Sequence, residues 1–372
     1  MLDHAKVMKI LQEQAGKLFA PIDDELELAR IVWHALIQDP LLREKIKNAS
    51  THFMLPEWHR KIDDSFLVEN PKNSYRVIAI DGSQIYPDRH QSASCALINI
   101  GVVELFYGSP SRAHVATRPS ILTEDQQALS FTPDLINARR QEFELEAATN
   151  LESYGIMVEG AERPLVLFDG SLIFWHLQSY EETMRTYFIE RYNQLLMKLY
   201  HQGIWCAWYI SLPKSKELVN LIRLALCNYN TNGCSAYTKV DHVVDAHIAS
   251  FFLPPKTCST IFAHCSAVTE WYEPVLKPHF LYVNGDDEIG RIELPAWLAT
   301  DAQAVQTISE IIFDQMKKGF GYPVSLAEAH EQAVVKGPDR DFFYHVLARC
   351  GMMHGRSFSI SQKSAKKRRM NV

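Results

Sequence analysis

Two short apolar runs in this chain end in the same three residues. Val77, Ile78, Ala79 and Ile80 lead into Asp81-Gly82-Ser83, and Leu165, Val166, Leu167 and Phe168 lead into Asp169-Gly170-Ser171. Runs of this length, rich in β-branched and large apolar residues, read as strands buried on both faces. Each strand then delivers a carboxylate at its end. The glycine behind each Asp lets the backbone turn and leaves room for an ion or a phosphate to approach. A single Asp-Gly-Ser is most often an ordinary turn. Two of them, each directly behind a buried strand, constrain the fold far more.

Between the two motifs the order of elements is informative. SASCALINIG and VVELFYG, with Gly101 between them, read as two further strands. With the strand before Asp81 they make three antiparallel strands in series. A helix follows, with Thr132 as N-cap, Pro133 at its first position and Asp134 at the positive end of its dipole. It runs through LINARRQEFELEAATNLESY without a breaker. Strand with terminal Asp, two strands, acidic helix, strand with terminal Asp is the order of an RNase H-like catalytic unit. Such sites collect at the ends of strands in open α/β sheets. Clustered carboxylates repel one another unless a cation lies between them, and hard oxygen ligands favour Mg²⁺ or Mn²⁺.

Downstream, residues 180–202 read as a long helix and 204–211 as the next strand. Residues 227–300 alternate strand and loop, with HFLYV and IGRIELP the clearest strands. A helix from Ala302 to Lys317 is broken by Gly319, Gly321 and Pro323, and Pro323 opens a helix that carries His330. Upstream, Val7, Ile10, Leu11 and Leu18 recur at helical spacing, and a second helical stretch runs from Asp24 through Trp33 to Ile37. An α-helical extension over residues 1–70 is expected. At the other end, residues 351–372 hold Lys363, Lys366, Lys367, Arg368 and Arg369 and are expected to form a disordered basic tail with weak, salt-dependent affinity for DNA at most.

Bulk properties remove some classes. The net charge of −6 over 372 residues is not that of a basic nucleic-acid coat. Seven cysteines, odd in number and without a Cys-x-x-Cys pair, read as reduced, mostly buried thiols. The N-terminus is a mixed-charge helix rather than a signal peptide, and no apolar run is long enough to cross a bilayer. A cytoplasmic protein is expected.

VIAIDGSQIYPDRH and VLFDGSL resemble the two Asp motifs of the NurA nucleases. GYPVSLAEAHEQAV, over 321–334, resembles that family's C-terminal motif, and GRIELPAW, over 290–297, another family segment. The resemblance covers roughly residues 75–345. It implies a NurA-like nuclease domain over 71–350 with an RNase H-like mixed sheet flanked by helices. It also implies a site of Asp81, a helical Glu, Asp169, Tyr322 and His330, with the two Asp, the Glu and His330 as metal ligands. Glu142, Glu144, Glu146 and Glu152 are open for the Glu. Glu144 is chosen because it borders the apolar line of Phe143, Ala147 and Leu151, with Glu142 second. The activities implied are Mn²⁺- or Mg²⁺-dependent single-strand endonuclease and 5′-to-3′ exonuclease in DNA end resection and repair. A homodimer working with a hexameric HerA-type ATPase is implied as well.

Other groupings are weaker. Asp241, His242, Asp245 and His247 invite a metal reading that nothing else supports. Cys258, His264 and Cys265 do not match zinc spacing. Lys214, Ser215 and Lys216 at a strand-to-helix junction, and Arg112 and Arg118, are candidate phosphate contacts. Two other functions stand beside the nuclease. One is a non-catalytic adaptor of the same fold serving a DNA-translocating ATPase, which would have no chemical need for the intact Asp, Tyr and His positions. The other is a phosphatase with Asp169 as nucleophile, which would want a second Asp where Ser171 stands.

Overall fold

The computed structural model describes residues 2–18, 21–71, 73–87, 95–124, 131–157 and 163–354. Of the expected tail, Gly351, Met352 and Met353 belong to the last helix, and residues 355–372, with Lys363, Lys366, Lys367, Arg368 and Arg369, lie outside the described residues. Among them, eleven strands form one sheet. They are β1 (Glu57–Trp58), β2 (Ser65–Leu67), β3 (Tyr75–Ile85), β4 (Cys95–Tyr107), β5 (Arg112–Thr123), β6 (Leu165–Asp169), β7 (Trp205–Ile210), β8 (Thr257–Ser259), β9 (Phe262–Ala263), β10 (Pro278–Asn284) and β11 (Ile289–Pro295). The helices are α1 (His4–Leu18), α2 (Asp23–Ile37), α3 (Leu42–Lys47), α4 (Pro133–Thr149), α5 (Glu182–Gln202), α6 (Glu217–Leu226), α7 (Asp245–Ser250), α8 (Ala296–Ala299), α9 (Ala302–Lys318), α10 (Val324–Ala333) and α11 (Gly337–Met353).

The strand order is β1-β9-β10-β11-β7-β6-β3-β4-β5, with β2 and β8 joined to the side of β10. β3, β4 and β5 form an antiparallel meander. β6 lies parallel to β3 and β7 parallel to β6. The order β5-β4-β3-β6-β7, with the meander antiparallel and the last two strands parallel to β3, is the RNase H-like arrangement expected from the element order. Helices flank this mixed sheet.

The central strands are apolar because both faces are covered. Val77, Ile78 and Ala79 of β3 and Leu165, Val166 and Leu167 of β6 are fully buried. α4 packs against β3, β4 and α5, and α10 packs against β3 and β4. The two helices take opposite faces, as two glycines in adjacent register pairs show. A Cβ on Gly82 would lie 2.7 Å from Glu144 Oε1 of α4, and one on Gly101 would lie 2.6 Å from the Ala333 nitrogen at the end of α10. Gly82 pairs with Ile100 and Gly101 with Asp81, so the two point to opposite sides. The N-terminus of α4 is built as its sequence requires, with the Thr132 hydroxyl accepting from the Leu135 amide at 3.2 Å and Pro133 following.

Several expectations need correction. Gly101 does not separate two strands: it lies inside the single strand β4, and the third strand of the meander is β5, which begins at Arg112. Nor does the first strand end at Asp81, because its pairing with β4 continues to Ile85. Helix does not continue to residue 70: it ends at Lys47, and β1 and β2 follow as short strands of the main sheet. The α2 helix packs into the fold. Ala29, Trp33 and Leu36 share a second core with Leu218, Leu221 and Ile222 of α6 and Phe280 and Tyr282 of β10. Trp33 is fully buried there. Nor are all the thiols reduced, since Cys227 and Cys234 form a disulfide. Cys95, Cys206 and Cys258 are buried free thiols. Among the described residues no helix is long and apolar enough to cross a membrane.

Candidate active site

The site forms where β3 and β6 stop pairing. Ile80 and Phe168 are the last partners of their parallel register. Asp81 and Asp169 therefore occupy the next level on neighbouring strands, which is why the two Asp-Gly-Ser motifs matter together. Asp81 lies within β3, which continues to Ile85, and its Oδ1 accepts from the Gly82 amide at 2.8 Å. Its other oxygen, Oδ2, lies 2.9 Å from His330 Nδ1 on α10. Asp169 sits before Gly170, whose φ of +93° is open to glycine alone at low cost. The Gly170 amide is tied to the Tyr209 carbonyl at 2.9 Å.

Glu144 reaches this edge from the α4 face. Its Oε1 lies 3.4 Å from Arg140 Nε one turn earlier. Burial pushes its carboxyl up to about 8; Arg140 opposes this, and the charges of Asp81 and Asp169 add to it. Partial burial also raises the Asp169 carboxyl, the Tyr322 hydroxyl bonded to it lowers it, and Asp81 raises it again. Tyr322 itself is held above the usual phenol range by burial and by Asp169. Five groups from β3, α4, β6, the α9–α10 turn and α10 thus converge on one sheet edge.

The other candidate glutamates go elsewhere. Glu142 is buried in an ion pair with Arg139 and with Arg191, the latter at 2.7 Å. Glu146 also pairs with Arg191. Glu152 falls in a short 3₁₀ turn after α4. Glu144 is the one of the four coupled to both Asp residues.

The donor set, three carboxylates and an imidazole, suits a hard divalent cation. As they stand among the described residues, no three His, Cys, Asp or Glu side chains are placed to hold one. Each carboxylate has instead a protein partner: His330 and Gly82 for Asp81, Arg140 for Glu144, Tyr322 for Asp169.

Sequence reasoning missed what holds the second motif. Glu293 of β11, 1% exposed, accepts from Ser171 Oγ at 2.9 Å and from the Leu172 amide at 2.8 Å through Oε2. Its Oε1 accepts from Arg291 Nε at 2.8 Å, and Arg291 Nη1 donates to Glu217 Oε1 at 2.9 Å. The charged pair inside GRIELP, two residues apart on one face of a central strand, was the available signal. Ser171, where a phosphatase would want an acid, is thus spent on holding the turn.

The weaker groupings separate. Asp241 pairs with Arg223, His242 with Glu25, Asp245 with Tyr282, and His247 accepts from the Val244 amide. Lys216 donates to the Asp241 carbonyl. Arg118 lies 3.3 Å from Ser153 Oγ, and Arg112 lies over the Phe106 ring.

The NurA domain model matches residues 75–335. The chain belongs to the NurA family. Its fold also resembles solved structures. NurA matches with a TM-score of 0.41 at 11% identity, over 93% of this chain and 98% of that one. NurA bound to dAMP and manganese matches with a TM-score of 0.38 at 10% identity, over 90% of this chain and 94% of that one. LC9-RNase H1 matches with a TM-score of 0.22 at 12% identity, over 51% of this chain and 90% of that one. No curated protein matches the chain in sequence.

Proposed function

We propose that this NurA-family chain is a divalent-metal-dependent DNA nuclease, with Asp81, Glu144, Asp169 and His330 as ligands and Tyr322 beside them. The observation that carries the reading is the convergence of three carboxylates from β3, α4 and β6, where burial and then the charges of Asp81 and Asp169 raise the Glu144 carboxyl and burial and then Asp81 raise that of Asp169. Such a cluster is unfavourable unless a cation neutralises it. Manganese is the first candidate, since a NurA structure is described with dAMP and manganese. A bound cation would polarise the phosphate and lower the pKa of an attacking water.

The residues divide the remaining work. The carboxylate of Asp81, released from His330 Nδ1, and the carboxylates of Glu144 and Asp169 fix where the phosphodiester can sit. His330, with 62% of its side chain exposed, either completes the ligand set or, unligated, hands a proton to the departing oxygen. The Tyr322 hydroxyl beside Asp169 favours the ionised form of that carboxylate. Single-strand endonuclease and 5′-to-3′ exonuclease activities, a role in end resection and repair, a homodimer, a HerA-type ATPase partner and a cytoplasmic location belong to the same proposal.

The test is hydrolysis of single-stranded DNA, 5′-labelled in one arm and 3′-labelled in the other, with Mn²⁺, Mg²⁺ or EDTA. Cleavage that needs the cation supports the reading, and the labels show polarity. Intact DNA in every arm, with a cognate ATPase present, would favour the non-catalytic adaptor.

A further inference from the structure

The turn between α9 and α10 carries an unexplained aromatic. Phe320 is 94% exposed, more than any other large hydrophobic side chain among the described residues. It also stands in the left-handed region, with φ at +55°. That is the position after a helix end where glycine is the usual residue, and a side chain there costs about 1 kcal/mol. The turn is tightly fixed. The Gly319 amide donates to the Gln315 carbonyl at 3.0 Å, and the Gly321 amide to the Met316 carbonyl at 2.9 Å. A Cβ on Gly319 would lie 1.9 Å from the Tyr322 carbonyl oxygen, so no other residue fits there without moving the turn. Two glycines thus present one phenylalanine, and among the described residues nothing covers its exposed ring.

Its place gives it a use. Phe320 is two residues before Tyr322, whose hydroxyl is bonded to Asp169. Leu212, 66% exposed and also left-handed at φ +44°, follows β7 on the same edge of the sheet. The hairpin between β10 and β11 comes up against the turn, with Asp287 Cβ 3.7 Å from where a Gly321 Cβ would be, and Asp286 and Asp287 are exposed. These carboxylates disfavour a phosphate beside the ring. The flat apolar face of a base has no such conflict, and stacking on an aromatic ring is the common way unpaired bases are held.

We infer that Phe320 is a base-stacking residue, binding an unpaired nucleobase of the nucleic-acid strand whose phosphate lies at the carboxylate edge. The inference rests on the nuclease reading for the substrate class, and binding tests it independently of cleavage. A fluorescent oligothymidylate and an abasic oligonucleotide of equal length are titrated, in EDTA, into the full-length wild type, Phe320→Ala and Phe320→Tyr. Substitution at so exposed a site leaves the fold alone. Phe320→Ala should weaken the oligothymidylate about 10-fold and leave the abasic strand unchanged, and Phe320→Tyr should restore binding. Equal loss for both strands, or no loss for either, would overturn the assignment. So would a change in sedimenting mass in Phe320→Ala with oligothymidylate binding intact, which would make the ring a contact between copies of the chain. If base-dependent binding is present but no cation supports cleavage, the nuclease reading fails and the stacking role stands.

Discussion

Asp81 Oδ2 and His330 Nδ1 lie 2.9 Å apart, although 249 residues separate them in the chain. Their meeting depends on α10 lying directly on β4 at Gly101, the register partner of Asp81. The backbone of Ala329 and Ala333 occupies the space where a Cβ would be. Ser83 Oγ and Asn99 Nδ2 both donate to the Ala333 carbonyl, the latter at 2.9 Å, and pin the helix end.

Gly101→Ala should therefore lift α10 from the sheet. The overpacking should cost about 1–3 kcal/mol of stability. Cleavage should fall by more than that loss explains, because His330 is withdrawn from Asp81. Thermal unfolding and single-turnover cleavage, measured together, check this. A variant that melts as the wild type and cleaves at full rate would show that α10 does not place His330.

The Glu144 carboxyl sets a pH dependence. Its folded value, about 8, is above its ordinary 4.5. Between these values the folded state keeps a proton the unfolded chain has released. Its contribution to stability is complete below about 4.5 and is lost as the pH rises towards about 8. In EDTA the melting temperature should fall across that window. Mn²⁺ should raise it most at the upper end, where the ligands ionise readily. Glu144→Gln should flatten both trends; an unchanged slope in that variant would place the dependence elsewhere.

Tyr322→Phe removes the hydroxyl bonded to Asp169 while keeping the ring packed on Tyr209, at a centroid distance of 5.8 Å. A hydrogen bond to a charged group is worth about 1.5–3 kcal/mol, so kcat should drop roughly 10- to 100-fold. KM for DNA should stay within about twofold, because the phenol acts through Asp169 rather than on the substrate. A KM effect alone would instead make Tyr322 a substrate contact.

Glu293→Leu should be among the most damaging substitutions in the molecule. It strands the Leu172 amide and leaves Arg291 one carboxylate short in a fully buried setting. A loss of about 3–5 kcal/mol is expected from denaturant unfolding. Ser171→Ala, which removes one donor to the same carboxylate, should cost about 1 kcal/mol.

The core of the fold was legible because its central strands are apolar on both faces and lead into Asp-Gly. β6, β7 and the helices around Thr132 and Pro323 fall where periodicity, caps and breakers place them, whereas β3 runs on past Asp81 to Ile85 and Gly101 lies within one long strand, because pairing with neighbours carries both strands through their glycines. Residues 48–70 were not legible as strand: β1 and β2 span two and three residues, too short for a period to register. The Cys227–Cys234 disulfide closes a turn at the end of α6 that no Cys-x-x-Cys spacing announces. At the site, sheet-facing position singled out Glu144 as the preferred glutamate. The engagement of Glu142 and Glu146 elsewhere is tertiary, because Arg191, on α5, takes both. Phe320 lies in the helix break marked by Gly319, Gly321 and Pro323. Its exposure depends on how the turn is tied back to Met316, which local sequence does not encode.

The central claim is that Asp81 and Asp169 jointly serve a cation needed for DNA cleavage. The most direct measurement compares wild type, Asp81→Asn and Asp169→Asn on single-stranded DNA with Mn²⁺, alongside thermal unfolding in EDTA. Each variant should lose at least about 10³-fold in rate, as expected when a charge-stabilising group is removed. Each should melt at or above the wild-type temperature, since one of the mutually repelling carboxylates is gone. Folded variants that still cleave at the wild-type rate would contradict the account.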